Sequence, residues 1–214
     1  MSKRHTKGPS AQARASSRTS LRVLLDMDQV LADFEGHFLN TYKQQHPDLP
    51  YIEKEDRNTF YITEQYATLG PDLPETVEDI ITEEFFFLNI PEIDGGVAAA
   101  REMADMEDVD VFICTSPMTF YKYCLHEKYQ WVEKHLGEQW LDRIIITKDK
   151  TLVHGHVLVD DRLNITGVCE QPTWEHIVFT ANHNARFDAG GKRRLDNWTD
   201  GQWRSLIEDF QKRI

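Results

Sequence analysis

Cysteine is scarce in this chain and badly spaced for pairing. Cys114, Cys124 and Cys169 are the three cysteines in 214 residues, and no two form a CxxC pair. That argues against a disulfide framework or structural zinc and fits a reducing compartment. Long apolar runs are also lacking: none approaches the roughly 20 residues a membrane helix needs. Residues 1–20 have no apolar centre, so they do not read as a secretory signal. Acids outnumber basic residues in the chain as a whole, but not in that same segment. It holds Lys3, Arg4, Lys7, Arg14 and Arg18 and no acid, a charge of +5. The whole chain carries −12, so the remaining 194 residues carry −17. So acidic a body is a poor grip for a nucleic-acid polymer. A small anionic substrate would need a local positive site, a lysine or a metal ion.

What is present suffices for one domain with a modest insertion. Hydrophobic residues make up 40% and aromatics 11%, enough for a real core. Residues 1–20, rich in Ser, Arg and Lys, read as a disordered basic tail. A cytoplasmic protein is expected, with the mitochondrial matrix as the alternative if that segment is a transit peptide, whose acid-poor composition it shares. Leu21–Leu25, Val109–Cys114, Arg143–Thr147, Val157–Val159 and the run from His176 read as buried strands. Residues 31–45, 126–136 and the segment from Thr199 carry helical patterning. The expected fold is α/β: an open parallel Rossmann-like sheet flanked by helices. Residues 46–91 form a small helical cap inserted after the first strand and helix, and 21–45 with 92–214 form the core.

Three strands end in polar residues, and ligands of open sheets bind at that edge. The first ends in Asp26-Met27-Asp28, the second in Thr115-Ser116-Pro117, the fourth in Asp160-Asp161-Arg162. In an extended segment Asp26 and Asp28 point the same way. With Asp160 or Asp161 they would make an oxygen-rich acidic site suited to Mg²⁺. Thr115 and Ser116 add hydroxyls, and Lys148 and Lys150 add positive charge after the third strand. Singly, each of these fits a turn or a solvated surface group. Together they are a phosphoryl-transfer kit: a nucleophilic carboxylate, an acid/base, a metal site, donors and a lysine.

In order, "DMDQVLADF", "FICTSP", "TKDKT" and "LVDDR" resemble the four motifs of the haloacid dehalogenase-like phosphatases. "EDRNTFYITEQY", "YKYC--EKYQWVEKHLG", "WEHIVFTA-HN" and "RRL-NW" narrow the resemblance to the 5′(3′)-deoxyribonucleotidases, over about residues 21–213. The resemblance implies a Mg²⁺-dependent phosphatase of (deoxy)nucleoside monophosphates. Asp26 would attack phosphorus and become an aspartyl-phosphate. Asp28 would protonate the leaving nucleoside oxygen and then activate water. Asp26, the backbone carbonyl of Asp28 and Asp161 would bind Mg²⁺. Thr115, Ser116 and Lys150 would hold the phosphate. Asp160 and Asp161 cannot both point inward from an extended strand, so Asp160 is expected to orient water or Lys150. Phe34, Phe60 and Tyr61 occupy the aromatic positions of the nucleoside pocket. The expected partner is a small nucleotide, with no polymer and no membrane, and homodimerisation is left open.

Some positions depart from the family pattern. Gln29 stands where Gly is common, so its amide is a candidate substrate contact. Tyr61 stands where the mammalian enzymes carry Trp, and Ile81 occupies another aromatic position of the mitochondrial form. These leave base and sugar preference open, with a sugar phosphate as the alternative substrate and a non-catalytic scaffold as a second alternative. His154 and His156 lack further zinc ligands, "FFF" at 85–87 reads as packing, and "NHN" at 182–184 falls near the expected edge of the site.

Overall fold

The computed structural model describes residues 20–214; the expectations for residues 1–19 lie outside that range. Six strands run parallel in one sheet: β1 (Leu21–Leu25), β2 (Val109–Thr115), β3 (Ile144–Ile146), β4 (Val157–Asp160), β5 (Glu175–Phe179) and β6 (Arg194–Leu195). Their order is β3-β2-β1-β4-β5-β6, so β1 lies inside the sheet between β2 and β4. Both faces of β1 are covered, as a continuous apolar run requires. Leu21, Val23 and Leu25 join the larger core, while Leu24 packs with Cys114, Leu158 and Trp174 on the other side. Each such Leu or Val contributes about 1.5–3 kcal/mol by leaving water.

Register decides where the polar strand ends fall. Leu25 pairs with Ile113 of β2 and with Val159 of β4. The Asp26 N–H continues that ladder to the Val159 carbonyl at 2.9 Å. Asp26, Thr115 and Asp160 therefore emerge at one edge of the sheet.

Six helices accompany it: α1 (Phe34–Gln45), α2 (Ile62–Tyr66), α3 (Leu73–Ile81), α4 (Gly96–Ala104), α5 (Cys124–Leu136) and α6 (Gln202–Gln211). Short 3₁₀ turns occupy Lys54–Asp56, Glu138–Arg143 and Lys150–Leu152. Residues 46–91 thus contain α2, α3, one 3₁₀ turn and a run of turns through the "FFF" segment. Among the described residues no helix is long and apolar enough to cross a membrane.

The first helix begins later than its pattern suggests. Leu31 is buried but non-helical, because the chain folds back on itself after Asp28. The N–H groups of Leu31 and Ala32 both reach the Met27 carbonyl, at 2.8 and 2.9 Å. This loop is tied down from outside. Trp198 Nε1 donates to the Val30 carbonyl at 2.7 Å, and the Ile93 N–H to the Leu31 carbonyl at 2.7 Å. α1 then starts at its N-cap Asp33, whose carboxylate accepts the Gly36 N–H at 3.0 Å.

Gln29 takes a left-handed backbone, φ 58°, where glycine is the usual residue. Its side-chain oxygen accepts the Glu35 N–H at 2.9 Å, satisfying an orphan donor in the first turn of α1. Gln29→Ala keeps the unfavourable φ and deletes the acceptor, so its unfolding free energy should fall by about 1 kcal/mol. Gln29→Gly loses the same acceptor but relieves the backbone, and should fall by less. Urea-unfolding midpoints of the two variants check this order.

Candidate active site

Two buried lysines organise the edge of the sheet. Lys150, in the 3₁₀ turn after β3, is 6% exposed. Its Nζ lies 2.8 Å from Asp26 Oδ1 and 2.6 Å from Asp160 Oδ2. Burial alone would lower the pKa of this ammonium, but Asp160 and Asp26 outweigh it and hold the charge on. Lys128, on α5, is 1% exposed. Its Nζ donates to Asp28 Oδ2 at 2.6 Å, to Thr115 Oγ1 at 2.7 Å and to the Ser116 carbonyl at 3.2 Å. Thr115 is buried, whereas Ser116 and Lys148 are exposed.

The carboxyl groups crowd one another. Burial pushes Asp26 up to about 6; Lys150 pulls the other way, while Asp160 and Asp28 push further. Asp161 is raised well above the ordinary carboxylate value, by burial first and then by Asp160 and Asp26. Burial acts upward on Asp160 as well, but contact with Lys150 outweighs it and holds this carboxyl low. One oxygen from each of Asp26, Asp160 and Asp161 lies within 4.8 Å of the others. This all-oxygen donor set fits a hard divalent cation, and the raised Asp26 and Asp161 mark a local shortage of positive charge. The Asp28 carboxylate is turned toward Lys128 instead, and its buried Oδ1 has no hydrogen-bond partner.

Asp160 contacts Lys150, and together with Asp161 it also brings an oxygen to the cluster. β4 ends at Asp160, and the chain bends at Asp161, so strand alternation no longer applies. The bend is held from behind. Asn184 Nδ2 donates to the Asp161 carbonyl at 2.6 Å, and His183 Nε2 lies 3.3 Å from the same oxygen. The Asp160 Oδ1 accepts the Arg162 N–H at 2.9 Å. "NHN" thus supports the site from its rim.

The three candidate pocket aromatics divide into two groups. Phe34 packs on Phe86 and Phe87, with ring centroids 5.6 and 5.9 Å away. Phe60 and Tyr61 are 41% and 49% exposed and stand beside Arg162. The Arg162 guanidinium lies 4.4 Å from the Phe60 ring centre and donates to the Tyr61 hydroxyl at 2.7 Å. Phe60 also meets the His183 ring edge-on at 5.5 Å. The Gln29 amide oxygen is committed to α1.

Lys128 and Arg162 are site residues to which the sequence pattern alone attaches no role. For Lys128 a signal exists. The buried stripe of α5 runs Cys124, Glu127, Lys128, Trp131, Val132, Leu136, and charges on an otherwise apolar stripe require buried partners.

Comparison with known proteins agrees with this geometry. The family model described as 5′ nucleotidase, deoxy (pyrimidine), cytosolic type C protein matches residues 19–208. The chain belongs to the 5′(3′)-deoxyribonucleotidase family. It is 46% identical to the mitochondrial 5′(3′)-deoxyribonucleotidase of Mus musculus over 94% of this chain and 91% of that protein. It is also 46% identical to the cytosolic type of Homo sapiens, over 88% of this chain and 94% of that one. Among solved structures, the HAD-hydrolase YfnB of Bacillus subtilis bound to magnesium superposes with a TM-score of 0.55. That match has 11% identity and covers 89% of this chain and all of the other. A HAD-superfamily hydrolase of Geobacter sulfurreducens gives a TM-score of 0.53 at 14% identity, over 92% of this chain and all of that one. Those two likenesses establish the fold. Family membership makes the chain an enzyme, a phosphoric monoester hydrolase.

The raised carboxyls set the sign of a pH effect. A carboxyl whose folded pKa is raised contributes stability while protonated and loses it as pH rises through the folded value. Without a cation, this cluster should therefore destabilise the fold as pH rises through about 6. A divalent cation should raise the melting temperature strongly near about pH 8 and weakly near about pH 5, where protons occupy the same oxygens. Calorimetry with and without the cation checks this. An equal shift at both pH values would contradict the arrangement.

Proposed function

We propose that this enzyme hydrolyses (deoxy)nucleoside monophosphates to nucleoside and phosphate through an aspartyl-phosphate, with Mg²⁺ as cofactor. One observation carries the reading. Seven residues spanning 136 positions of sequence gather at the sheet edge in two contact groups, Lys128 with Asp28 and Thr115, and Lys150 with Asp26, Asp160 and Asp161, near enough that Asp28 and Lys128 act electrostatically on Asp26.

An Asp26 carboxylate oxygen attacks phosphorus, the new O–P bond forms, and the bond to the nucleoside oxygen breaks. Asp28 gives that oxygen its proton. Asp28 then takes a proton from water, which attacks the phosphorus of the aspartyl-phosphate and returns Asp26 as a carboxylate. The Asp26 N–H bond to Val159 and the Met27 N–H bond to Asp26 Oδ1, 2.8 Å, fix the nucleophile's direction. Lys150 and Lys128 offset phosphate charge, with Thr115 and Ser116 as hydroxyl donors. Asp160 positions Lys150. Asp26, Asp161 and the Asp28 carbonyl are the ligands assigned to Mg²⁺, which when bound supplies the charge that lets an anionic ester approach the carboxylate cluster. Residues 46–91 act as the cap over the leaving group, where Phe34, Phe60 and Tyr61 supply apolar surface for the nucleoside.

A panel of deoxynucleoside and nucleoside monophosphates, assayed for phosphate release with and without Mg²⁺, tests the reading directly. Turnover of nucleotides that collapses on chelation is expected. Asp26→Asn should abolish turnover while leaving the fold intact, and turnover like wild type would remove Asp26 as nucleophile. Lys128→Met should lower kcat by about 10²–10³, the usual scale for one lost electrostatic contact to the reacting group. A loss below tenfold would place Lys128 outside the chemistry.

A further inference from the structure

Glu127 and Lys128 are adjacent on the buried stripe of α5 and serve different ends of the site. Lys128 faces Asp28 and Thr115. Glu127, 2% exposed, reaches into the segment that returns from residues 46–91 to the core. Its Oε1 accepts the Phe85 N–H at 2.6 Å, and its Oε2 accepts those of Phe87 and Leu88 at 3.0 and 3.4 Å. These bonds cross about 40 positions of sequence and hold a strained backbone. Phe85 has φ 69°, a left-handed conformation unfavourable for a bulky side chain, and that side chain is largely exposed. The two rings that follow turn inward. Phe87 has its ring centre 5.4 Å from the Lys128 ammonium, and both Phe86 and Phe87 pack on Phe34.

We propose that Glu127 is a positioning residue for substrate selection. Its carboxylate fixes the Phe85–Leu88 segment so that the buried Phe86 and Phe87 rings back the half-buried Phe34, which faces the nucleoside leaving group. The inference rests on the nucleotidase reading above. A carboxylate suits the task because its two oxygens can accept all three of the N–H groups that converge on it. A glutamine of the same length would turn an amide donor toward at least one of them. The phosphate side is held chiefly by the bonds of Lys128 to Asp28, Thr115 and the Ser116 carbonyl, and meets this segment only at the Phe87 ring. Loosening the wall should therefore cost binding of the nucleoside more than chemistry at phosphorus.

The test compares kcat/KM for a deoxynucleoside monophosphate with kcat/KM for p-nitrophenyl phosphate, whose leaving group is small. Glu127→Gln should lower the ratio of the two by about tenfold, chiefly through KM for the nucleotide. Amide exchange of the 85–88 peptide should accelerate while β1 and β2 keep their protection. Adding Phe85→Gly should recover part of the ratio, since glycine adopts the left-handed backbone without penalty. Phe86→Leu, which leaves both the carboxylate and the Phe87 contact with Lys128 in place, should reproduce the fall and serves if Glu127→Gln does not fold. Equal losses on both substrates, an unchanged ratio, or unchanged exchange at 85–88 would overturn the role of Glu127. A wild type inert toward nucleotides would overturn the nucleotidase reading along with it.

Discussion

The structure depends on a charge imbalance at the carboxyl ends of the central strands. Four carboxyl groups, those of Asp26, Asp28, Asp160 and Asp161, meet two ammonium groups, those of Lys128 and Lys150. Fully ionised, the set is short of two positive charges, the charge of one divalent cation. Protons can make up part of the deficit: burial first, and then the neighbouring carboxyl groups, raise Asp26 and Asp161 above their ordinary values. A cation can do so without occupying the lone pairs with protons, and leaves a carboxylate free to act as a nucleophile. The lysines cannot substitute for it. Each is already bonded to a carboxylate, and adding an anionic ester to the cation-free site would raise the deficit. Burial makes the problem acute, because desolvation penalises every uncompensated charge.

That arrangement was legible in the sequence as far as strand geometry reaches. The apolar runs located β1, β2 and β4 within a residue or so, and parallel pairing brought their polar ends to one edge. β6 is a two-residue pairing, Arg194–Leu195, too short for any periodicity to register. Geometry beyond the strands was less accessible. The bend at Asp161 depends on Asn184 and His183, which lie in a loop after β5, so strand alternation alone could not show that Asp161 joins Asp160 at the cluster. Lys128 lies on the apolar stripe of α5, which signals a buried charge without naming its partners. Its burial among Asp28, Thr115 and Phe87 becomes visible only once α5 is docked. The partition of Phe34 from Phe60 and Tyr61 is likewise tertiary, since it depends on which side of the site each segment returns to.

Residues 46–91 are tied to the rest of the chain by contacts of two kinds. Buried ones include Glu127 with the 85–88 backbone, Trp131 Nε1 with the Ile90 carbonyl at 2.7 Å, and Arg57 with Glu35, where the guanidinium lies 3.1 Å from Oε1. Arg57 also bonds Gln65 and the Thr59 carbonyl, so one guanidinium fastens the turn before α2 to α1. Exposed ones include Arg162 with Tyr61 and Arg186 with the Glu55 carbonyl at 2.6 Å. The two kinds are not equal energetically. Breaking a buried ion pair strands a desolvated charge and is strongly unfavourable, whereas exposed contacts are screened and replaced by water at little cost.

It follows that opening of this segment would begin at the Phe60–Tyr61 side and pivot on the side held by Glu127 and Trp131. Arg162 is the residue that would register such motion. It is bonded through its backbone N–H to Asp160 and through its guanidinium to Tyr61, with Phe60 beneath it. A single residue thus spans the carboxylate cluster and the aromatic edge, one position beyond Asp161. A tyrosine at position 61 matters here for a physical reason. An indole offers only a donor, which cannot pair with a guanidinium, whereas the phenol oxygen accepts from it. In this chain the contact between aromatic edge and metal-site loop is therefore a hydrogen bond with defined direction, in addition to stacking on Phe60.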